Sequence, residues 1–102
     1  MKIDNKFQFE DRYDNEDFNT TIFWITAPCD IIEEEYIDAE FATISIEIPM
    51  DDFCAEKATV LVSPTKFDGE NGYCDYDWRE MGLSIEDTQK LIDICLKGYQ
   101  KG

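Results

Sequence analysis

The sequence of 102 residues contains no histidine. That removes the side chain most used as a general base, and with it any Ser–His or Cys–His nucleophile pair. It also leaves a zinc site dependent on cysteine alone. The four cysteines, Cys29, Cys54, Cys74 and Cys95, are scattered with no CxxC spacing, whereas structural zinc sites draw on closely spaced pairs. Bases are scarce: 9 Lys+Arg stand against 24 Asp+Glu, for a formal net charge of −15. Such a chain lacks the basic footprint that neutralises phosphates, and anionic membranes repel it. No apolar run approaches the ~18 residues of a spanning helix. The first residues, MKIDNKFQFEDRY, hold no apolar core of a secretory signal. A cytoplasmic protein with reduced thiols is therefore expected, and the sequon Asn19-Thr20-Thr21 carries no meaning there. There is no internal repeat and no low-complexity tract.

Paired carboxylates are the remaining catalytic possibility. Yet 24 acids on roughly 6,000 Å² of surface bring carboxyls together by chance, and so short a chain has little room for a deep cleft. Neither Asp68-Gly69-Glu70-Asn71-Gly72 nor Asp75-Tyr76-Asp77 fits the spacing of a calcium loop. The expectation is a protein that is not an enzyme and holds no cofactor or metal.

What is present argues for a fold. Apolar residues make up 43% and aromatics 14% of the chain, well above a disordered acidic tail. The length suits a single domain over residues 1–102. Alternation over 6–13 places Phe7, Phe9, Asp11 and Tyr13 on one side of a strand. A turn is expected at residues 14–17. A β-branched, aromatic run over 18–26 completes an N-terminal hairpin spanning 6–26. Residues 41–48 alternate, with Ala42, Ile44, Ile46 and Ile48 on one face. The run over 58–63 reads as a buried central strand stopped by Pro64, and 73–80 alternates again. Residues 30–40 fit either a short helix capped by Asp30 or an irregular loop. Ser84, with Asp87 three residues on, opens a helix over 84–99. Its apolar face is Ile85, Thr88, Leu91, Ile92, Cys95, Leu96 and Tyr99, and Gly98 or Gly102 ends it. Strands followed by one amphipathic helix predict an α+β fold. Four or five mostly antiparallel strands carry the C-terminal helix on one face.

The charge is unevenly spread. Residues 13–56 hold 13 acids and not one Lys or Arg. Solubility asks for a net charge of only about 2–8 in a small domain, and thirteen unrelieved acids repel one another in the compact state. Alternate acids on a strand lie about 6.6 Å apart, and those at i, i+4 on a helix about 6 Å. Such spacings are like those of successive phosphates on a nucleic-acid strand. In a basic protein the interleaved aromatics would suggest base stacking; here the sign is opposite. Most must be core, while Tyr13, Tyr36 and Phe53, within the base-free stretch 13–56 that includes the acidic segment 30–56, are candidate interface anchors.

With runs such as Asp30-Ile31-Ile32-Glu33-Glu34-Glu35-Tyr36-Ile37-Asp38 and Met50-Asp51-Asp52-Phe53, the chain resembles the small acidic nucleic-acid mimics of phages and mobile elements. These are the anti-CRISPR and antirestriction proteins. The resemblance is one of size and charge, without a shared motif. It implies a non-enzymatic inhibitor whose acidic surface occupies a basic nucleic-acid-binding site on a partner such as a nuclease or RNA-guided effector. An immunity protein against a toxin nuclease has the same look, and a small acidic structural or adaptor domain is the alternative of another class. The expected contact residues are Glu33, Glu34, Glu35, Tyr36, Asp38, Glu40, Asp51, Asp52 and Phe53, their two runs forming one acidic face.

Overall fold

Chain direction first reverses at residues 16–19, and this turn shows how local chemistry sets the rest. The side-chain oxygen of Asn15 accepts hydrogen bonds from the backbone N–H of Asp17 (3.1 Å) and Phe18 (3.3 Å). Asn19 then adopts φ 54°, a left-handed conformation that Asn tolerates better than most residues. Strands β1 (Gln8–Asn15) and β2 (Thr20–Pro28) pair from Asn15↔Thr20 downward. The hairpin is the expected one, but the turn lies two residues later and Phe18 belongs to it, not to a strand.

The computed structural model describes residues 3–32, 39–68, 72–75 and 78–101. After β2 come a 3-10 turn at Cys29–Ile31, β3 (Phe41–Pro49), a 3-10 turn at Ala55–Lys57 and β4 (Thr59–Asp68). The short strands β5 (Gly72–Asp75) and β6 (Arg79–Glu80) precede helix α1 (Ile85–Lys101). The sheet runs β1-β2-β3-β4-β5 with all neighbours antiparallel, and β6 adds to β4 at Leu61↔Glu80 and Val62↔Arg79. The architecture is α+β, as the strand-then-helix order predicts.

One face of the sheet forms the core. Phe23, Ile25 and Ala27 of β2 lie opposite Ile46, Ile44 and Ala42 of β3. Ile44 and Ile46 lie in turn opposite Val62 and Val60 of β4. All eight are buried, and Leu91, Ile92 and Cys95 of α1 close over them. Each fully buried Leu or Ile side chain stabilises by about 1.5–3 kcal/mol relative to exposure. Ser84 caps the helix, its hydroxyl accepting the Asp87 N–H at 3.1 Å. Ile85 and Tyr99, expected on the apolar face, are instead exposed; they sit in the first and last turns, beyond the buried central stripe.

Four further expectations are corrected. A β-bulge between Phe9 and Asp11 inserts an extra residue into β1, which reverses the alternation. Phe9, Arg12 and Asp14 lie opposite Ile25, Phe23 and Thr21 on the core face, whereas Asp11 and Tyr13 lie opposite Trp24 and Ile22 on the other. Pro64 does not stop β4. It falls between Val62, the last position paired with β6, and Thr65, the first paired with β5. A strand accepts proline where no ladder bond calls on its N–H. Of the two glycines expected to end α1, Gly98 does not, since the helix runs on to Lys101, and Gly102 lies outside the described residues. A Cβ built there would stand 2.6 Å from Cβ of Phe9, so glycine is what lets the helix approach β1. Asp30 sits inside the 3-10 turn and not at a helix cap, and the rest of the helix-or-loop question, residues 33–38, lies outside the described residues.

Candidate functional site

The antiparallel order brings two connections to the same end of the sheet. β1 enters the 16–19 turn there, and β3 ends there, Thr20 lying opposite Pro49. The backbone N–H of Met50 donates to the Asn19 carbonyl at 2.9 Å, tying the hairpin turn to the β3–β4 connection. Glu16, Asp17, Asp51 and Asp52 are all exposed at this end, with Glu56 and Lys57 in the 3-10 turn beyond. The connection is pinned from beneath. Phe53 packs edge-on against Phe23, ring centroids 6.2 Å apart, and Ala55 is buried in the core. The Cys54 thiol donates to Asp52 Oδ1 at 3.6 Å.

The acids here divide into engaged and free. Asp14 accepts hydrogen bonds from Arg12 Nε (3.1 Å) and the Thr21 hydroxyl (3.0 Å). The Arg12 bond above all, then that from Thr21, holds its carboxyl below the ordinary value of 3.8. The Arg12 guanidinium lies 4.7 Å from the Tyr99 ring centroid and 5.5 Å from that of Phe23. It is thereby committed to joining β1, β2 and α1. Among the described residues, Glu16, Asp17, Asp51, Asp52 and Glu56 have no ion pair.

Of the nine residues expected to meet a partner, Asp51, Asp52 and Phe53 stand at this end. Glu40 is exposed at the opposite end of β3, its N–H bonded to the Thr65 carbonyl. Nine residues of strand at ~3.3 Å each hold Glu40 and Asp51 on the order of 30 Å apart. Glu33, Glu34, Glu35, Tyr36 and Asp38 lie outside the described residues. The described members of the two runs therefore do not meet; what the fold joins to Asp51 and Asp52 is the hairpin turn with Glu16, Asp17 and Phe18. Phe18 is 77% exposed, the most exposed large apolar side chain among those described. Its aromatic character suits a strand, which hid it; Asn15 and Asn19, each able to turn the chain, are the signal that places it in a turn.

Elsewhere, Cys29, Cys54 and Cys95 are free thiols, and burial pushes the Cys95 thiol up to about 12. A cleft of about 860 Å³ lies beside the 3-10 turn at Cys29–Ile31, with Phe7, Asp30, Ile31, Val62, Leu83 and Asp87 among the residues that line it. Among the described residues no group of three or more Cys, Asp or Glu is placed to hold a metal ion, and no helix is long and apolar enough to cross a membrane. No family model matches this chain, and neither a curated protein nor a solved structure shows significant similarity to it.

Proposed function

We propose that this protein is a non-enzymatic inhibitor that occupies a basic nucleic-acid-binding site of a partner protein, in the manner of anti-CRISPR and antirestriction mimics. One observation carries the reading: 13 acids without a base over residues 13–56, with the exposed acids Glu16, Asp17, Asp51 and Asp52, which have no ion pair among the described residues, gathered on two tied connections. Unpaired charge at this density destabilises the free protein. A basic groove relieves that repulsion while losing its own nucleic acid. Phe18 and Phe53 add apolar contact that slows dissociation, whereas the acids speed encounter.

The test is competition. Purified nucleases and RNA-guided effectors are loaded with fluorescent duplex or guide, and displacement by this chain is followed across salt concentrations. Displacement that weakens steeply with salt, and weakens further in Asp51→Lys/Asp52→Lys, supports mimicry, because the Debye length shrinks from ~30 Å at 0.01 M to ~10 Å at 0.1 M. Displacement indifferent to both salt and reversal sinks it and returns the acidic stretch to a solvated face.

A further inference from the structure

Strand β2 carries apolar or β-branched side chains on both of its faces. Phe23, Ile25 and Ala27 enter the core, whereas Thr20, Ile22, Trp24 and Thr26 point the other way and are only partly buried. Where one face of an antiparallel sheet meets water, that face is ordinarily polar. Ile22 and Trp24 depart from the rule. Among the described residues α1 is the layer over this sheet, and it closes the core face.

The register fixes what surrounds Trp24 on the outer face. One row across the sheet is Asp11, Trp24, Ser45, Leu61 and Glu80; the next is Tyr13, Ile22, Glu47 and Thr59. Tyr13 is 53% exposed, and Asp11, Glu47 and Glu80 are exposed as well. Glu10, in the bulge, accepts a hydrogen bond from the Thr26 hydroxyl at 3.0 Å and so brings its carboxylate to the same face. Neither row holds a Lys or Arg. Arg12 is turned to the core face, and Lys6 stands beyond them, lining a hollow with Glu10, Thr26 and Phe41. The face is open along β1 and β2 and closes on β4 at Ser63 and Thr65, which are buried.

An apolar strip edged with carboxylates selects its occupant. A second copy, docked about a two-fold axis, would set these acids against themselves, at a charge of −15 per chain. A partner whose apolar side chains stand among Lys and Arg answers both features. Trp and Tyr are the side chains that most often anchor an interface, and the acids meet the cations at its rim.

We propose that the outer sheet face centred on Trp24, with Tyr13 and Ile22 beside it and Asp11 and Glu47 at its edges, is a docking surface for a basic protein that presents apolar side chains among its cations. The proposal rests on the mimicry reading for the class of partner and goes beyond it in the surface used: the sheet face, and not the acidic connections alone.

Two short peptides of equal charge, one alternating lysine with leucine and the other lysine with serine, are titrated into the full chain at matched ionic strength and followed by amide- and indole-resolved NMR. The leucine peptide should bind roughly tenfold tighter, with shifts centred on Tyr13, Ile22 and Glu47 and on the Trp24 indole N–H. Trp24→Ser and, separately, Ile22→Thr should each shrink that preference by about threefold or more while keeping the parent circular dichroism. If either variant fails to fold, the shifts on the parent chain decide the location. Equal affinity for the two peptides overturns the proposal, as do no binding and shifts centred on residues 16–19 and 50–54 or on α1. A concentration-dependent dimer closed through Trp24 also overturns it, because the face then belongs to a second copy. Those outcomes leave the mimicry reading to its competition assay. The expected binding in a protein that displaces no nucleic acid sinks the mimicry reading alone.

Discussion

Helix α1 and the hairpin end treat charge in opposite ways. On α1, Lys90 lies 3.9 Å from Asp87, and Gln89 donates to Asp93 at 3.0 Å. Two of its acids, Asp87 and Asp93, thus have partners at i, i+3 and i, i+4 spacing. At the hairpin end five acids face solvent with no ion pair among the described residues, and three aromatics are exposed around them. The central stripe of the helix, Leu91, Ile92 and Cys95, is buried in the core, whereas the hairpin end leaves Phe18 77% exposed. On the proposed reading, stability and recognition draw on different parts of one small fold. Substitutions in the two regions should therefore separate cleanly.

The sharpest break is Leu91→Ala. Leu91 is fully buried against the sheet, and truncating such a leucine costs about 2–5 kcal/mol. Denaturant melts should show that loss, with secondary structure unchanged below the transition. A variant that melts like the parent removes α1 from the core. Gly98→Ala comes next. In an ordinary helix this change stabilises, but here the new Cβ meets Phe9 at 2.6–2.9 Å. The sign should invert, to a loss of about 1–3 kcal/mol, typical of overpacking. Phe9→Ala in the same chain should relieve only the part due to the ring atoms at 2.8–2.9 Å, because alanine keeps the Cβ that stands at 2.6 Å.

At the other region the expected sign is opposite. Asp51→Lys/Asp52→Lys should leave the protein as stable as the parent or stabilise it by a few tenths of a kcal/mol, since it relieves repulsion at exposed sites. Added salt should raise the parent's melting temperature more than the variant's. A destabilised double variant would mean that these acids are held by structural partners and do not wait for a partner protein.

How much of this contrast is legible in the sequence depends on the range of the interactions involved. The face of β3 and the stripe Leu91, Ile92, Cys95 follow from periodicity, because one-sided burial imprints a period on the chain; β2 is legible as a strand from its β-branched and aromatic content alone. The bulge at β1 does not. Glu10 differs in no obvious way from its neighbours, yet one inserted residue moves Arg12 from the solvent side to a place between Tyr99 and Phe23. Gly98 reads as a helix stop because glycine usually is one near a C-terminus; only the approach of Phe9, some ninety residues earlier, gives it another role. The candidate site divides likewise. Its charge is visible as a base-free stretch. Which acids become neighbours is decided by strand order, and that order joins Glu16 and Asp17 to Asp51 and Asp52 while holding Glu40 a strand length away.

The smallest expected effect lies where the two regions touch, at Asp14. This acid belongs to the base-free stretch but is engaged by Arg12 and Thr21, which keep its folded value below the ordinary 3.8. A carboxylate held low in the folded state stabilises only while it is ionised. Its contribution is complete above 3.8 and is lost as pH falls through the lower folded value. Asp14→Asn lacks the contribution at every pH. The stability difference between parent and variant should therefore be constant at about pH 5–7, then shrink below 3.8 as the parent's own carboxyl protonates. The side chain is 48% exposed, so the whole difference stays small and salt should diminish it. Urea melts of both proteins across this range read it directly. A difference that persists undiminished well below the folded value assigns the effect to the shape of the Arg12–Thr21 pocket, and Asp14 then joins the helix side of the comparison as a packing residue.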